Sequence, residues 1–180
     1  MSQKDSLLIY IDALYRSALY LVKNRSNADD LVQETYLRAF KFLREDKEIS
    51  NEKAWLFKIL INTFINKYRK DKREPSLVDF DTIESFYGSV EEEAMVLTTT
   101  ENEMGLDKLL DDDVKKALEG LPDDFRMVIL LSSVEGFSYK EISDIVKCPV
   151  GTVMSRIYRG RRMLKEKLTG YAKKHGYERE

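Results

Sequence analysis

Ser155, Arg159 and Arg162 stand four and three residues apart near the C-terminal end of a 180-residue chain, with Thr152 and Tyr158 close by. At 3.6 residues per turn, this spacing gathers hydroxyls, a phenol and guanidinium groups on one side of a helix. Val153, Ile157, Gly160, Leu164 and Leu168 fall on the opposite stripe. One side therefore packs and the other presents donors. Arginine forks suit guanine and phosphate, and small hydroxyls suit base edges and backbone, so the chemistry is that of a helix in the major groove of DNA. Arg156, Arg161, Lys165 and Lys167 add positive charge nearby. The competing reading is a solvated basic helix, and the residues ahead of it weigh against that.

Those residues are FSYKEISDIVKCPV, from Phe137 to Val150. Ser138 followed by Glu141 is a capping-box pattern, and Phe137 and Ile142 flank it as a hydrophobic staple. Ile142, Ile145 and Val146 give that first helix its buried side. Pro149 disfavours helical backbone at Cys148, which places a turn over Lys147–Val150. The basic helix is predicted to start near Gly151 or Thr152, with Gly160 allowing close approach to the first helix. A helix, a tight turn and a second, two-faced helix form a helix-turn-helix, with Tyr139 and Lys140 at the start of its first helix.

Two other strips could bind a partner. The stretch from Glu52 to Lys72 has a wide apolar arc including Leu56, Phe57, Leu60, Ile61 and Phe64, so it must be covered on more than one side. Its remaining face carries Trp55, Lys58, Asn62, Asn66, Arg69 and Arg73. An aromatic ring, two amides and several cations suit nucleic acid, where amides read base edges and cations hold phosphates. Further upstream, a helix predicted from about Asn27 to Leu43 places Asp30, Gln33, Glu34 and Leu37 on one face. Such a strip could bind a basic helix, or be an ordinary exposed face. Ahead of it, apolar residues from Leu8 to Val22 keep helical spacing over Asp5–Lys23.

The composition bounds what these elements can do. An apolar fraction of 43% with 34% charged residues describes a helix-rich globular chain, while the net charge of −2 does not by itself announce nucleic acid. The asymmetry along the chain says more. From Asp79 to Asp113 the only base among many acids is Lys108, so roughly Glu74–Asp107 reads as an acidic flexible linker, with room for a short helix around Val90–Leu97. Beyond it, helices are predicted over Leu109–Glu119 and Asp123–Val134, separated by Gly120-Leu121-Pro122. The fold class expected is all-α: two small helical domains joined by an acidic linker, the C-terminal one a helix-turn-helix. No strand pattern, apolar span or signal-peptide layout is visible, so a cytoplasmic protein without membrane insertion is expected. Cys148 is the single cysteine and His175 the single histidine. With no nucleophile–base set, metal-ligand spacing or phosphate-cradling glycine loop, neither an enzyme nor a cofactor is expected.

Four segments in order resemble a known family: DDLVQETYLRAF, AWLFKILINTFINKYRK, LPDDFRMVILLSSVEGFSYKEISDIV and CPVGTVMSRIYRGRRML. They are similar to the sigma-70-type sigma factors of the extracytoplasmic-function (ECF) class. The resemblance implies domains at 1–74 (region 2), 75–108 (linker) and 109–180 (region 4). It implies that Asp30, Gln33 and Glu34, with Leu37 and Phe40 beside them, dock on core RNA polymerase, at the clamp of the beta-prime subunit. It implies minus-10 reading by Asn62 and Asn66 with Trp55, and by Lys58 and Arg69 on phosphates. Minus-35 reading falls to Met154, Ser155, Tyr158 and Arg159, with Tyr139, Lys140, Thr152, Arg156 and Arg162 in support. Family members also contact the beta subunit and are held by an anti-sigma factor. The loop Arg44–Asn51 lacks the glycine common in the class. The segment AWLFKILINTFIN with its following basic residues resembles the subgroup paired with zinc-binding, redox-sensitive anti-sigma factors. A plain helix-turn-helix regulator would use neither the Asp30–Glu34 strip nor the Asn62/Asn66 helix, and a helical adapter would have no use for the Arg159 face.

Overall fold

The computed structural model describes residues 3–43, 49–68 and 112–174, and the described elements are all helices and turns. The expected linker, the residues 44–48, Arg69, Arg73 and His175 lie outside them. The fold is all-α, and the chain divides into two compact units.

The first unit holds α1 (Gln3–Leu8), α2 (Ile11–Val22), α3 (Arg25–Leu43) and α4 (Glu52–Tyr68). It also includes α7 (Tyr139–Val146). Helix α2 packs on α3 and α4, and α3 packs on α4. Leu14, Ala18, Ala28, Leu31, Leu56, Phe57 and Leu60 are fully buried between them. Thr35 is equally buried but keeps its hydroxyl bonded to the Leu31 carbonyl at 2.7 Å, which removes the penalty of an unpaired polar atom.

The sequence predicted one helix over Asp5–Lys23, and the structure breaks it at Ile9–Tyr10. The reason is a competing bond: the Tyr36 hydroxyl donates to the Leu7 carbonyl at 2.9 Å, and the Tyr10 N–H reaches the same carbonyl at 3.3 Å. Burial, and then the charge of Asp12, push the Tyr36 phenol up from 10.0 to about 12. Helix α3 also starts earlier than the predicted Asn27. Asn24 caps it, accepting the Asn27 N–H at 3.1 Å, so Asp29 and Asp30 lie beyond its first turn. Asn51 caps α4 in the same way, its Oδ1 accepting the Ala54 N–H at 3.0 Å.

The second unit holds α5 (Asp112–Glu119), α6 (Asp123–Ile129), a π-helical turn over Leu130–Val134, and α8 (Val150–Lys174). Helix α8 packs against α5 and α6. Its stripe behaves as the spacing predicts, with Val153 and Ile157 buried and Leu164 and Leu168 half-buried. Gly160 faces a different neighbour from the one expected. A Cβ there would lie 3.0 Å from Ile129 Cγ1 and 3.4 Å from Phe125 Cβ, so the missing side chain admits α6 rather than the first helix of the turn motif. Asp123–Val134 was expected as one regular helix, but its last turn widens to π geometry. At the entrance to α6, Arg126 is 1% exposed. Its guanidinium donates to the Leu121 and Glu119 carbonyls and to Asp123. Burial lowers its pKa, and Asp123 opposes that shift.

Candidate nucleic-acid interface

The turn motif follows local rules. Ser138 Oγ accepts the Glu141 N–H at 3.3 Å, and Glu141 returns the bond by accepting the Ser138 N–H at 2.8 Å. The capping box is therefore complete at the start of α7. At the other end, Lys147 takes the left-handed conformation at φ 55°. The Ser143 hydroxyl then donates to the Cys148 carbonyl at 2.6 Å, and α8 begins at Val150. The turn is thus made by a left-handed lysine and a serine tie, with Pro149 following.

Along α8 the predicted donors separate into groups. Met154, Ser155, Tyr158 and Arg159 are half-exposed, and Arg162 is exposed. The Ser155 hydroxyl donates to the Thr152 carbonyl at 3.0 Å, which holds its oxygen on that face with acceptor capacity to spare. Arg162 pairs loosely with Glu166 at 3.4 Å, both side chains about 70% exposed at 72% and 67%. Such a pair yields readily to a phosphate.

Two residues depart from the expected face. Thr152 is only 9% exposed, because the inward arc at the start of α8 takes in Thr152 as well as Val153. Arg156 is turned to the protein: its Nη2 lies 3.7 Å from Asp124 Oδ2 on α6. Tyr139 is half-exposed and Lys140 exposed on α7.

On α4, Asn66 is exposed and Trp55, Lys58 and Asn62 are half-exposed. The Trp55 ring is braced by Phe42 at the end of α3, with centroids 5.3 Å apart. On α3, Asp30 and Gln33 are exposed, and Leu37 is 67% exposed. A leucine so exposed beside acids is a surface that gains by being covered. Glu34 is bound by Arg38 at 2.8 Å, and Phe40 lies against Tyr36 with centroids 5.6 Å apart. The sequence reading missed Asn51, Phe57 and Phe137 as a group. The sequence marks Phe57 for the apolar arc of its helix and Phe137 as a staple, each without its partner. The two rings stand edge-on with centroids 5.2 Å apart.

Comparison with known proteins matches this layout. Residues 9–74 match the family model for sigma-70 region 2, and residues 111–164 that for sigma-70 region 4. The ECF RNA polymerase sigma factor EcfG of Rhodopseudomonas palustris is 37% identical over 164 residues, which cover 91% of this chain and 83% of that one.

The chain belongs to the ECF sigma factors.

The ECF RNA polymerase sigma-E factor of Escherichia coli is also 37% identical, over 77% of this ECF sigma factor and 72% of its own length. Among solved structures, the sigma factor RpoE of Bartonella quintana, in complex with the anti-sigma factor NepR, superposes with a TM-score of 0.67. It is 34% identical, covering 92% of this chain and 96% of that one. CnrH, solved with the cytosolic domain of CnrY, shares the fold at a TM-score of 0.58 and 23% identity. This ECF sigma factor is thus an alternative sigma factor with both promoter-binding regions of its family, and its family acts by recognition rather than catalysis. No described helix is long and apolar enough to cross a membrane.

Proposed function

We propose that this sigma factor directs core RNA polymerase to a two-part promoter, with the work divided among four helices. The observation that carries the reading is the two-sidedness of α8: Val153, Ile157 and Gly160 are buried, while Ser155, Tyr158, Arg159 and Arg162 remain accessible within the region 4 match. The N-terminal end of α8 enters the major groove of the minus-35 element. Met154, Ser155, Tyr158 and Arg159 meet base edges there, and Arg162, Tyr139 and Lys140 meet phosphates. Thr152 and Arg156 position the helix.

Asn62 and Asn66 on α4 read exposed minus-10 bases beside Trp55, while Lys58 and Arg69 hold phosphates. Asp30, Gln33 and Glu34, with Leu37 and Phe40, dock on the polymerase clamp. The functional divisions follow as 1–74, 75–108 and 109–180, the middle part being a tether. The relative solved with the anti-sigma factor NepR supports control by an anti-sigma factor, and the setting we assign is a cytoplasmic stress response. Run-off transcription with core polymerase on the gene's own upstream region tests the proposal: a discrete start appears only with the protein present. Failure to yield one with core polymerase, while duplex DNA is still bound, would leave an ordinary helix-turn-helix regulator.

A further inference from the structure

The accessible side of α8 divides into two lanes. Ser155, Arg159 and Arg162 form one, and it carries the donors. Val150, Met154 and Tyr158 form the other, each one turn after the last. This second lane lies between the donor lane and the buried stripe of Val153 and Ile157. Val150 is 39% exposed, and Met154 and Tyr158 are half-exposed. Further along the same side the helix turns cationic, with Arg161 half-exposed and Lys165 exposed. A single exposed apolar side chain calls for no explanation, but these stand in line. The first turn of α8 also carries no acid, although an acid there would favour the helix dipole. An acid would repel a phosphate backbone, and an apolar residue does not.

In the major groove, thymine is the base that offers an apolar group, its C5-methyl, and apolar side chains are what contact it. Hydroxyls and guanidinium groups gain nothing from that methyl. Val150 and Met154 stand four residues apart, about 6 Å along the helix axis. That is the rise of about two base pairs. Both lie at the end of α8 that enters the groove, beside a lane whose charge fits DNA. The branched Val150 side chain has one strongly preferred torsion, so it fixes a register. The unbranched thioether of Met154 adapts to the shape it meets.

We infer that Val150 and Met154 are specificity residues that pack on the C5-methyl groups of thymines in neighbouring A·T pairs of the minus-35 element, while Ser155 and Arg159 serve its polar base edges. This deepens the proposed function and rests on its placing of α8 in the major groove. Val150 thereby joins the reading face, which the donor pattern alone did not include. Each methyl taken out of water contributes about as much as one buried methylene, about four-fold in affinity.

The test measures binding of the full chain, with core polymerase, to a duplex from the gene's own upstream region. Single thymines of its minus-35 segment are replaced by deoxyuridine, which removes the C5-methyl and keeps every hydrogen-bonding group. The parent should bind about four-fold more weakly for each contacted methyl removed. Val150→Ala and Met154→Ala change accessible positions, so the fold should survive both. Each should bind the natural duplex more weakly by a similar factor. Each should also become insensitive to deoxyuridine at one position, different for the two variants, because the two losses share one contact. Arg159→Ala should keep the parent's full sensitivity. A minus-35 segment without adjacent A·T pairs, or a parent indifferent to deoxyuridine, overturns the inference and leaves the placing of α8 standing. Variants that keep the parent's sensitivity at every position also overturn it, since the methyls would then act through DNA shape. A parent that binds a scrambled minus-35 segment as well as the natural one removes both the inference and the minus-35 reading.

Discussion

Arg156 Nη2 lies 3.7 Å from Asp124 Oδ2, and the two side chains are only 15% and 13% exposed. This ion pair links α8 to α6 and takes one arginine off the side of the helix proposed to face DNA. Arg156→Ala would leave the Asp124 carboxylate largely desolvated without this cation. A loss of about 1–3 kcal/mol of stability is expected, with no change in preference between a minus-35 duplex and a scrambled one. Denaturant unfolding and a binding titration on both duplexes check the two halves.

Arg159 should behave in the opposite way. A bidentate arginine contact discriminates by about 1–3 kcal/mol. Arg159→Ala should therefore lose that much on the preferred minus-35 duplex and far less on the scrambled one. Arg162→Ala should lose similar affinity on both and flatten the salt dependence by about one counterion. Equal losses for Arg159→Ala on both duplexes would make it a phosphate contact and move sequence reading to Ser155 and Met154.

On α3, Asp30→Arg combined with Glu34→Arg should weaken core polymerase binding by about ten-fold or more, or 1.4 kcal/mol. Both positions are accessible, and the lost Glu34–Arg38 pair is a surface pair, so the melting curve should barely move. A pull-down in which the double variant binds core as the parent does would remove α3 from the polymerase interface.

For α4, Asn62→Ala should alter base preference at a single minus-10 position in open-complex assays on a promoter panel. Lys58→Ala should weaken all promoters alike and reduce the salt slope by about one. An unchanged panel for Asn62→Ala would place base reading elsewhere on the helix.

Alkaline stability should report on Tyr36. Its phenol is held up at about 12 in the fold against an ordinary 10.0, so the neutral form is favoured by folding. That contribution is complete below pH 10 and is lost as pH rises from about 10 to 12, by up to about 1.4 kcal/mol per pH unit. Tyr36→Phe lacks the bond to the Leu7 carbonyl and should be less stable at neutral pH. It should also lack the tyrosine's share of the alkaline decline. Parallel unfolding curves for parent and variant from pH 8 to 12 would contradict this.

Much of the molecule is local in origin and was legible in the residues. The capping box at Ser138 and Glu141, the α8 stripe through Val153 and Ile157, and the start of α4 after Asn51 each depend on neighbours within a turn or two. Capping and helical periodicity act over that range, so sequence alone determined where most of the helices lie, the buried stripe of α8 and the side on which its candidate donors gather. Periodicity says that a residue is buried, but not what buries it. Gly160 was correctly placed on the packing stripe, yet only the fold shows that Ile129 and Phe125 fill the space. Thr152 and Arg156 share a sequence neighbourhood with Ser155 and Arg159, and it is a wider buried arc and an aspartate on α6 that withdraw them. The break between α1 and α2 depends on a hydroxyl from Tyr36, and the place of Phe137 on a ring from Phe57. Such partners lie tens of residues away, where no helical period reaches, so tertiary structure alone decided which of the predicted donors face outward and which are spent holding the protein together.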